Sequence, residues 1–98
     1  MIIFDQTSHY ANFKNDAIVK HVFTGHNTTD KTVKILSHNT SCSCVSLDYS
    51  EEILPESAFK ITYYVNKIGQ TGLFATDAKI VFDDDTTKTL NLSGYLKQ

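Results

Sequence analysis

The side chains here with the most capacity for chemistry are the two thiols of Cys42-Ser43-Cys44, with His38 four residues upstream. A thiolate is a nucleophile and a soft metal ligand, and imidazole joins it readily around zinc or copper. His38, Cys42 and Cys44 are therefore three candidate ligands, with His9, His21 or His26 available as a fourth. Fingers and ribbons space their cysteines more widely and bring two ligand groups together, so the expected reading is no metal and no cofactor. Extended backbone sends side chains i and i+2 to one face without aligning two sulfurs for a bond. Reduced, partly buried thiols are the expectation, and a redox pair is the alternative.

Other candidates are weaker. A cysteine nucleophile needs a histidine and an orienting group, and nothing in this order of residues supplies that set, so no catalytic residue is expected and the chain reads as a non-enzyme. His21 falls on the apolar side of its segment, where a neutral, hydrogen-bonded imidazole is expected. Asp83-Asp84-Asp85 lacks the glycine and spacing of a calcium loop and reads as a solvated turn. Asn27-Thr28-Thr29, Asn39-Thr40-Ser41 and Asn91-Leu92-Ser93 have the form of glycosylation acceptors and are expected to be fortuitous.

The elements that must position these groups alternate with a period of two. Val19, His21 and Phe23 share one face of a strand predicted over 17–27, and the cluster from Gly25 to Asp30 ends it. Two short strands follow: Val33 and Ile35 oppose Lys34 and Leu36 in the first, and Ser43, Val45 and Leu47 oppose Cys44, Ser46 and Asp48 in the second. After the single proline, Pro55, come Phe59, Ile61, Tyr63 and Val65 as one inward set. Ala78, Ile80 and Phe82 lead through an acidic turn to Leu90, Leu92, Gly94 and Leu96, a terminal hairpin. No segment has helical spacing. The prediction is an all-β fold, an immunoglobulin-like antiparallel β-sandwich of about seven strands, occupying residues 1–98 as a single immunoglobulin-like domain.

Composition narrows the function. The chain has 98 residues, 9 basic and 11 acidic, for a net charge of -2. No broad cationic surface is available for a phosphate backbone, so nucleic-acid binding is not expected. The start Met1-Ile2-Ile3-Phe4-Asp5 has no signal-peptide pattern, and no stretch approaches spanning length, so neither export nor membrane insertion is expected.

The order of motifs resembles the bacterial immunoglobulin-like domains of unknown function that carry a Cys-Gly-Cys signature, relatives of ASH and Hydin-type domains. Val19-Lys20-His21-Val22-Phe23 with Asn27 looks like that family's first long strand and Asn-rich turn, and Ser41-Cys42-Ser43-Cys44-Val45 looks like its signature. Ile53-Leu54-Pro55-Glu56 stands at a Pro-Gly-Glu turn, Gly72-Leu73-Phe74 at a Gly-x-Phe step, and Leu90 to Leu96 at the closing strand. Ser43 and Glu56 replace glycines, so local differences in backbone are expected there. Gly25 stands where the family carries an apolar side chain. The resemblance implies a non-enzymatic module that packs against other proteins.

The expected function is a structural or interaction module, specifically a phage virion accessory protein that decorates a capsid or belongs to a tail. Its partners would be capsid or tail proteins, with homo-oligomers on that assembly as an arrangement consistent with the role, and its location the virion or otherwise the cytoplasm. An envelope or cell-surface protein-binding domain is the alternative, followed by a cysteine-based metal or redox carrier. The expected contact residues are the apolar terminal segment Met1, Ile2, Ile3 and Phe4, added as a strand to a neighbouring sheet edge, with Tyr64 and Tyr95 as outward aromatics.

Overall fold

The computed structural model describes residues 1–14, 18–66 and 70–97. Their strands are β1 (Ile2–Phe4), β2 (Ser8–Lys14), β3 (Val19–Asn27), β4 (Val33–Thr40), β5 (Val45–Asp48), β6 (Glu52–Ile53), β7 (Ala58–Val65), β8 (Gly72–Phe82) and β9 (Thr87–Lys97). One sheet has the order β1-β3-β7-β5 and the other β2-β9-β8-β4-β6. The β-sandwich predicted from the alternation is the observed architecture, with nine strands among the described residues in place of about seven. Ala17, the predicted start of the first long strand, lies outside the described residues.

Burial follows the period of two. Along β7, Ile61, Tyr63 and Val65 are fully buried, and along β9, Leu90, Leu92 and Leu96 are buried while Asn91 and Tyr95 face outward. The core lies between the sheets, with Phe23 and Ile61 from one layer and Ile80 and Phe82 from the other. Burying an aliphatic or aromatic side chain of this kind is worth roughly 1.5–3 kcal/mol, which makes the alternation the main determinant of register. One polar bridge crosses this core. The Tyr63 hydroxyl donates to Thr76 Oγ1 at 2.9 Å, and Thr76 donates to the Leu92 carbonyl at 2.8 Å. Burial, then the charge of Asp77, pushes the Tyr63 pKa up and outweighs the opposing effect of the Thr76 hydrogen bond, so the hydroxyl stays a donor.

Three features depart from the sequence reading. The β2 and β9 strands pair in parallel, from Ser8 opposite Asn91 to Lys14 opposite Lys97, so the sandwich is not purely antiparallel. The segment 41–44 is a turn, and β5 begins only at Val45, although Val45 and Leu47 still share one face as predicted, Val45 buried and Leu47 half-buried. Glu56, where the resemblance implies a turn glycine, takes the left-handed conformation with φ 53°. That is a conformation glycine takes most readily, and the Glu56 N–H donates to the Thr29 carbonyl at 3.1 Å.

Candidate interaction surface

The four edges of the two sheets differ in length. At the ends stand β6 with 2 residues, β1 with 3, β5 with 4 and β2 with 7. Among the described residues, β2 pairs only with β9 and its other side carries no strand. Asn91 N–H donates to the Thr7 carbonyl at 2.8 Å, which aims that carbonyl at β9. Backbone groups alternate sides along a strand, so the N–H and C=O of Ser8, Tyr10 and Asn12 point away from β9. These are the unpaired groups onto which another extended chain can add.

Apolar side chains lie beside this edge on the outer face of the five-stranded sheet. Leu73 on β8 stands opposite Tyr95 on β9, Tyr95 stands opposite Asn12 on β2, and Tyr10 is one diagonal step away, opposite Ser93. Leu73 is 76% exposed, Tyr10 60% and Tyr95 44%. Three large side chains therefore form a row across β8, β9 and β2 that ends at the free edge. Tyr95 was expected from the sequence as an outward aromatic, whereas Tyr64, expected beside it, is half-buried on the other sheet between Lys20 and Ser46. Tyr10 and Leu73 were missed because their strand segments were not recognised. The alternation His9, Ala11, Phe13 on β2 was the available signal.

The terminal segment needs a correction. Ile2 is fully buried in the core, paired through β1 with Asn27 of β3, and Phe4 packs edge-on against Phe59 at 5.3 Å. Met1 and Ile3 are exposed. Met1 to Phe4 is thus an integral strand and not a free docking arm, because Ile2 fills space between the sheets. Gly25 allows that packing: a Cβ there would stand 2.7 Å from the Phe59 ring and 2.9 Å from the Ile3 carbonyl oxygen.

The cysteines are also corrected. Cys42 and Cys44 form a disulfide, with Cα atoms 5.1 Å apart. The turn at 41–44 removes the extended geometry that would have kept the sulfurs apart. Their sulfurs are therefore committed to each other, and the third metal candidate, His38, shares a hydrogen bond with the Tyr49 hydroxyl through Nδ1 at 2.7 Å. Among the described residues no group of three His, Cys, Asp or Glu side chains is placed to hold a metal. The acidic run also has local partners: Asp83 accepts from Lys34 N–H, and Asp84 accepts from Thr86 N–H, both at 3.0 Å.

One ionisable pair spans the two sheets. The His9 and His21 rings are stacked 3.8 Å apart with planes 8° from parallel, and His21 rests edge-on against Phe23. Burial, then the neighbouring His9, holds the His21 imidazole below the usual histidine range. A histidine whose folded pKa lies below its unfolded value of ~6.5 gives stability that is fully present above that pH. It is lost as pH falls through the folded value. The melting temperature is therefore expected to fall between about pH 7 and pH 5, and His21→Phe should flatten that slope in the same thermal scans.

Set beside known proteins, residues 2–96 match the model of a family described as a protein of unknown function, DUF1573. The chain belongs to the DUF1573 family. No curated protein matches it by sequence. Among solved structures, one titled as a protein of unknown function from Porphyromonas gingivalis W83 superposes with TM-score 0.78 at 14% identity, over 97% of this chain and 47% of that one. The Vibrio cholerae VesB protease gives TM-score 0.70 at 12% identity, over 99% and 32%. The periplasmic chaperone SfaE gives 0.66 at 8% identity, over 99% and 56%. These likenesses establish a shared sandwich. This DUF1573 chain spans from a third to just over half the length of the solved chains it matches.

Proposed function

We propose that this protein is a non-enzymatic binding module that joins a larger protein assembly by accepting a partner's extended segment along β2. The observation that carries this reading is the seven-residue edge of β2, unpaired among the described residues, with the row Tyr10, Tyr95 and Leu73 beside it. Backbone hydrogen bonds to Tyr10 and Asn12 would supply affinity, and the apolar row would select side chains of the incoming strand. Its relation to the Cys-Gly-Cys immunoglobulin-like domains of the ASH and Hydin kind belongs to the same proposal, with Cys42-Ser43-Cys44 standing at that signature and Ser43 in place of its glycine.

The disulfide favours the envelope reading over the virion one, since such bonds persist in oxidising compartments. The virion reading, capsid or tail, rests on analogy to small accessory domains and is tested alongside it.

Photo-crosslinking residues placed at 10 and 12 in the producing cells, and in purified particles where these exist, test both. Adducts to an envelope protein support the envelope reading, and adducts to a capsid or tail protein support the virion one. No adduct above that from an outward control at position 79 overturns the edge as the docking site. Asn12→Pro removes an outward N–H while leaving the β9 ladder intact and should abolish the adduct at position 10 without altering the circular dichroism spectrum. Leu73→Glu should reduce the adduct yield about tenfold, the effect of placing a charge in an interface core.

A further inference from the structure

We infer that Cys42 and Cys44 form an exchangeable disulfide that accepts two electrons from a dithiol protein. This goes beyond the docking reading and does not depend on it. A bond between residues two apart joins neighbours in one turn and no two strands, and the loop it closes is among the smallest possible. Constraint of the unfolded chain grows with loop length, so this bond gives the least of that effect. The turn is meanwhile held by other means. Ser41 N–H donates to the Asp77 carbonyl at 3.0 Å, Thr40 Oγ1 and Val45 N–H both donate to the Cys42 carbonyl at 3.1 Å, and Asn66 N–H donates to the Cys44 carbonyl at 2.8 Å. Both redox states can therefore keep the same backbone.

The two sulfurs are not equivalent. The backbone N–H of Cys44 points at Cys42 Sγ at 3.1 Å, so a thiolate on Cys42 has a ready donor. Both side chains are partly buried against the core. A partner thiolate attacks Cys44 Sγ, the Cys42–Cys44 bond breaks, and its electron pair leaves on Cys42 as the stabilised thiolate. The partner's second thiolate then attacks the partner sulfur of the mixed disulfide and releases Cys44. One protein disulfide and one partner dithiol become one protein dithiol and one partner disulfide. A second, disulfide-bearing protein restores the starting state by the reverse exchange.

The test uses the oxidised full chain and a synthetic peptide carrying a reduced cysteine pair. One peptide should be oxidised per protein, at least about tenfold faster than by oxidised glutathione at equal concentration. The doubly substituted Cys42→Ser, Cys44→Ser protein should give the background rate. Reduction should leave the circular dichroism spectrum unchanged and lower the melting temperature by no more than about 10 °C. In single variants, Cys42 of Cys44→Ser should ionise at lower pH than Cys44 of Cys42→Ser, as read by thiolate absorbance. A peptide rate no faster than glutathione, unfolding on reduction, or equal ionisation of the two thiols overturns the inference. None of these results bears on the crosslinks at β2, so the two proposals fail separately.

Discussion

Replacing Gly94 with alanine is expected to detach β2 from β9 and lower the melting temperature by about 15 °C, the shift that follows from roughly 3 kcal/mol in a domain of this size. A Cβ at position 94 would overlap the Ala11 carbonyl oxygen and stand 3.1 Å from the Phe13 ring. A backbone atom in a ladder cannot rotate aside as a side chain can, so relief requires β2 to move. Seven paired positions then lose their register, from Ser8 opposite Asn91 to Lys14 opposite Lys97. Loss of β2 also removes His9 from its stack on His21 and Phe13 from beside Phe74. Hydrogen exchange should show the amides of β2 losing protection while those of β7 keep theirs. Ser93→Ala, next door on the opposite face, is the control and should leave protection unchanged. Fast exchange throughout, or none of it in β2, would contradict this account.

The same strand shows what a single sequence reveals and what it withholds. Positions where an apolar residue alternates with a charged or hydroxylated one were legible, because burial between two layers dictates that rhythm: Phe23, Ile61, Tyr63, Ile80 and Leu92 all face the core as the alternation requires. On β2 the inward set is His9, Ala11 and Phe13, a polar ring and a methyl beside one aromatic, and the signal is faint. The extension of β8 back to Gly72 was hidden by Thr76, a polar residue that is buried because its hydroxyl serves Tyr63 and Leu92. The parallel pairing of β2 could not be read at all, since it depends on which distant strand lies beside it. The docking surface was legible to the same extent. Tyr95 lies on a recognised strand, but Leu73 and Tyr10 lie on segments that the alternation left unassigned, and an edge exists only once the order of strands is known.

The cysteines show the complementary limit. Spacing alone placed them on a strand, where a bond would be disfavoured, and four hydrogen bonds from residues 40, 41, 45 and 66 are what turn the chain there. Two of the four, from Thr40 and Val45 to the Cys42 carbonyl, lie within the turn and its immediate neighbours, and the other two reach Asp77 on β8 and Asn66 just past the end of β7. The geometry at the pair thus depends in part on two long-range contacts that no local pattern encodes. A similar dependence governs Asn27, which reads in the sequence as a turn residue and as a glycosylation acceptor. In the fold it is 1% exposed, and its amide is committed to other groups.

Asn27→Asp is expected to destabilise the protein by about 3 kcal/mol at neutral pH, although it changes neither the size nor the shape of the side chain. The Asn27 Nδ2 donates to the carbonyl of Lys31 at 2.8 Å and to that of Leu54 at 3.2 Å, and its Oδ1 accepts from Thr29 N–H at 3.1 Å and Thr29 Oγ1 at 2.6 Å. One side chain therefore ties the end of β3 to the turn after it and to the segment leaving β6. Aspartate keeps the acceptor side of this arrangement and reverses the other, setting a carboxylate oxygen against the Lys31 and Leu54 carbonyls at a residue that is 1% exposed. Alanine instead leaves those carbonyls and the Thr29 N–H without partners, a loss of about 2–3 kcal/mol. The two variants separate on acidification. Repulsion from the carbonyls raises the folded-state pKa of the introduced carboxyl above its unfolded value of ~3.9, so the protonated form is the one the fold favours. Its destabilisation is therefore complete above the raised value and shrinks as pH falls toward the unfolded one. Urea unfolding at pH 7 and pH 4 should show the Asn27→Asp deficit relative to the unsubstituted protein narrowing while that of Asn27→Ala stays constant; parallel deficits at both pH values would mean that Asn27 acts by filling space and not by donating to Lys31 and Leu54.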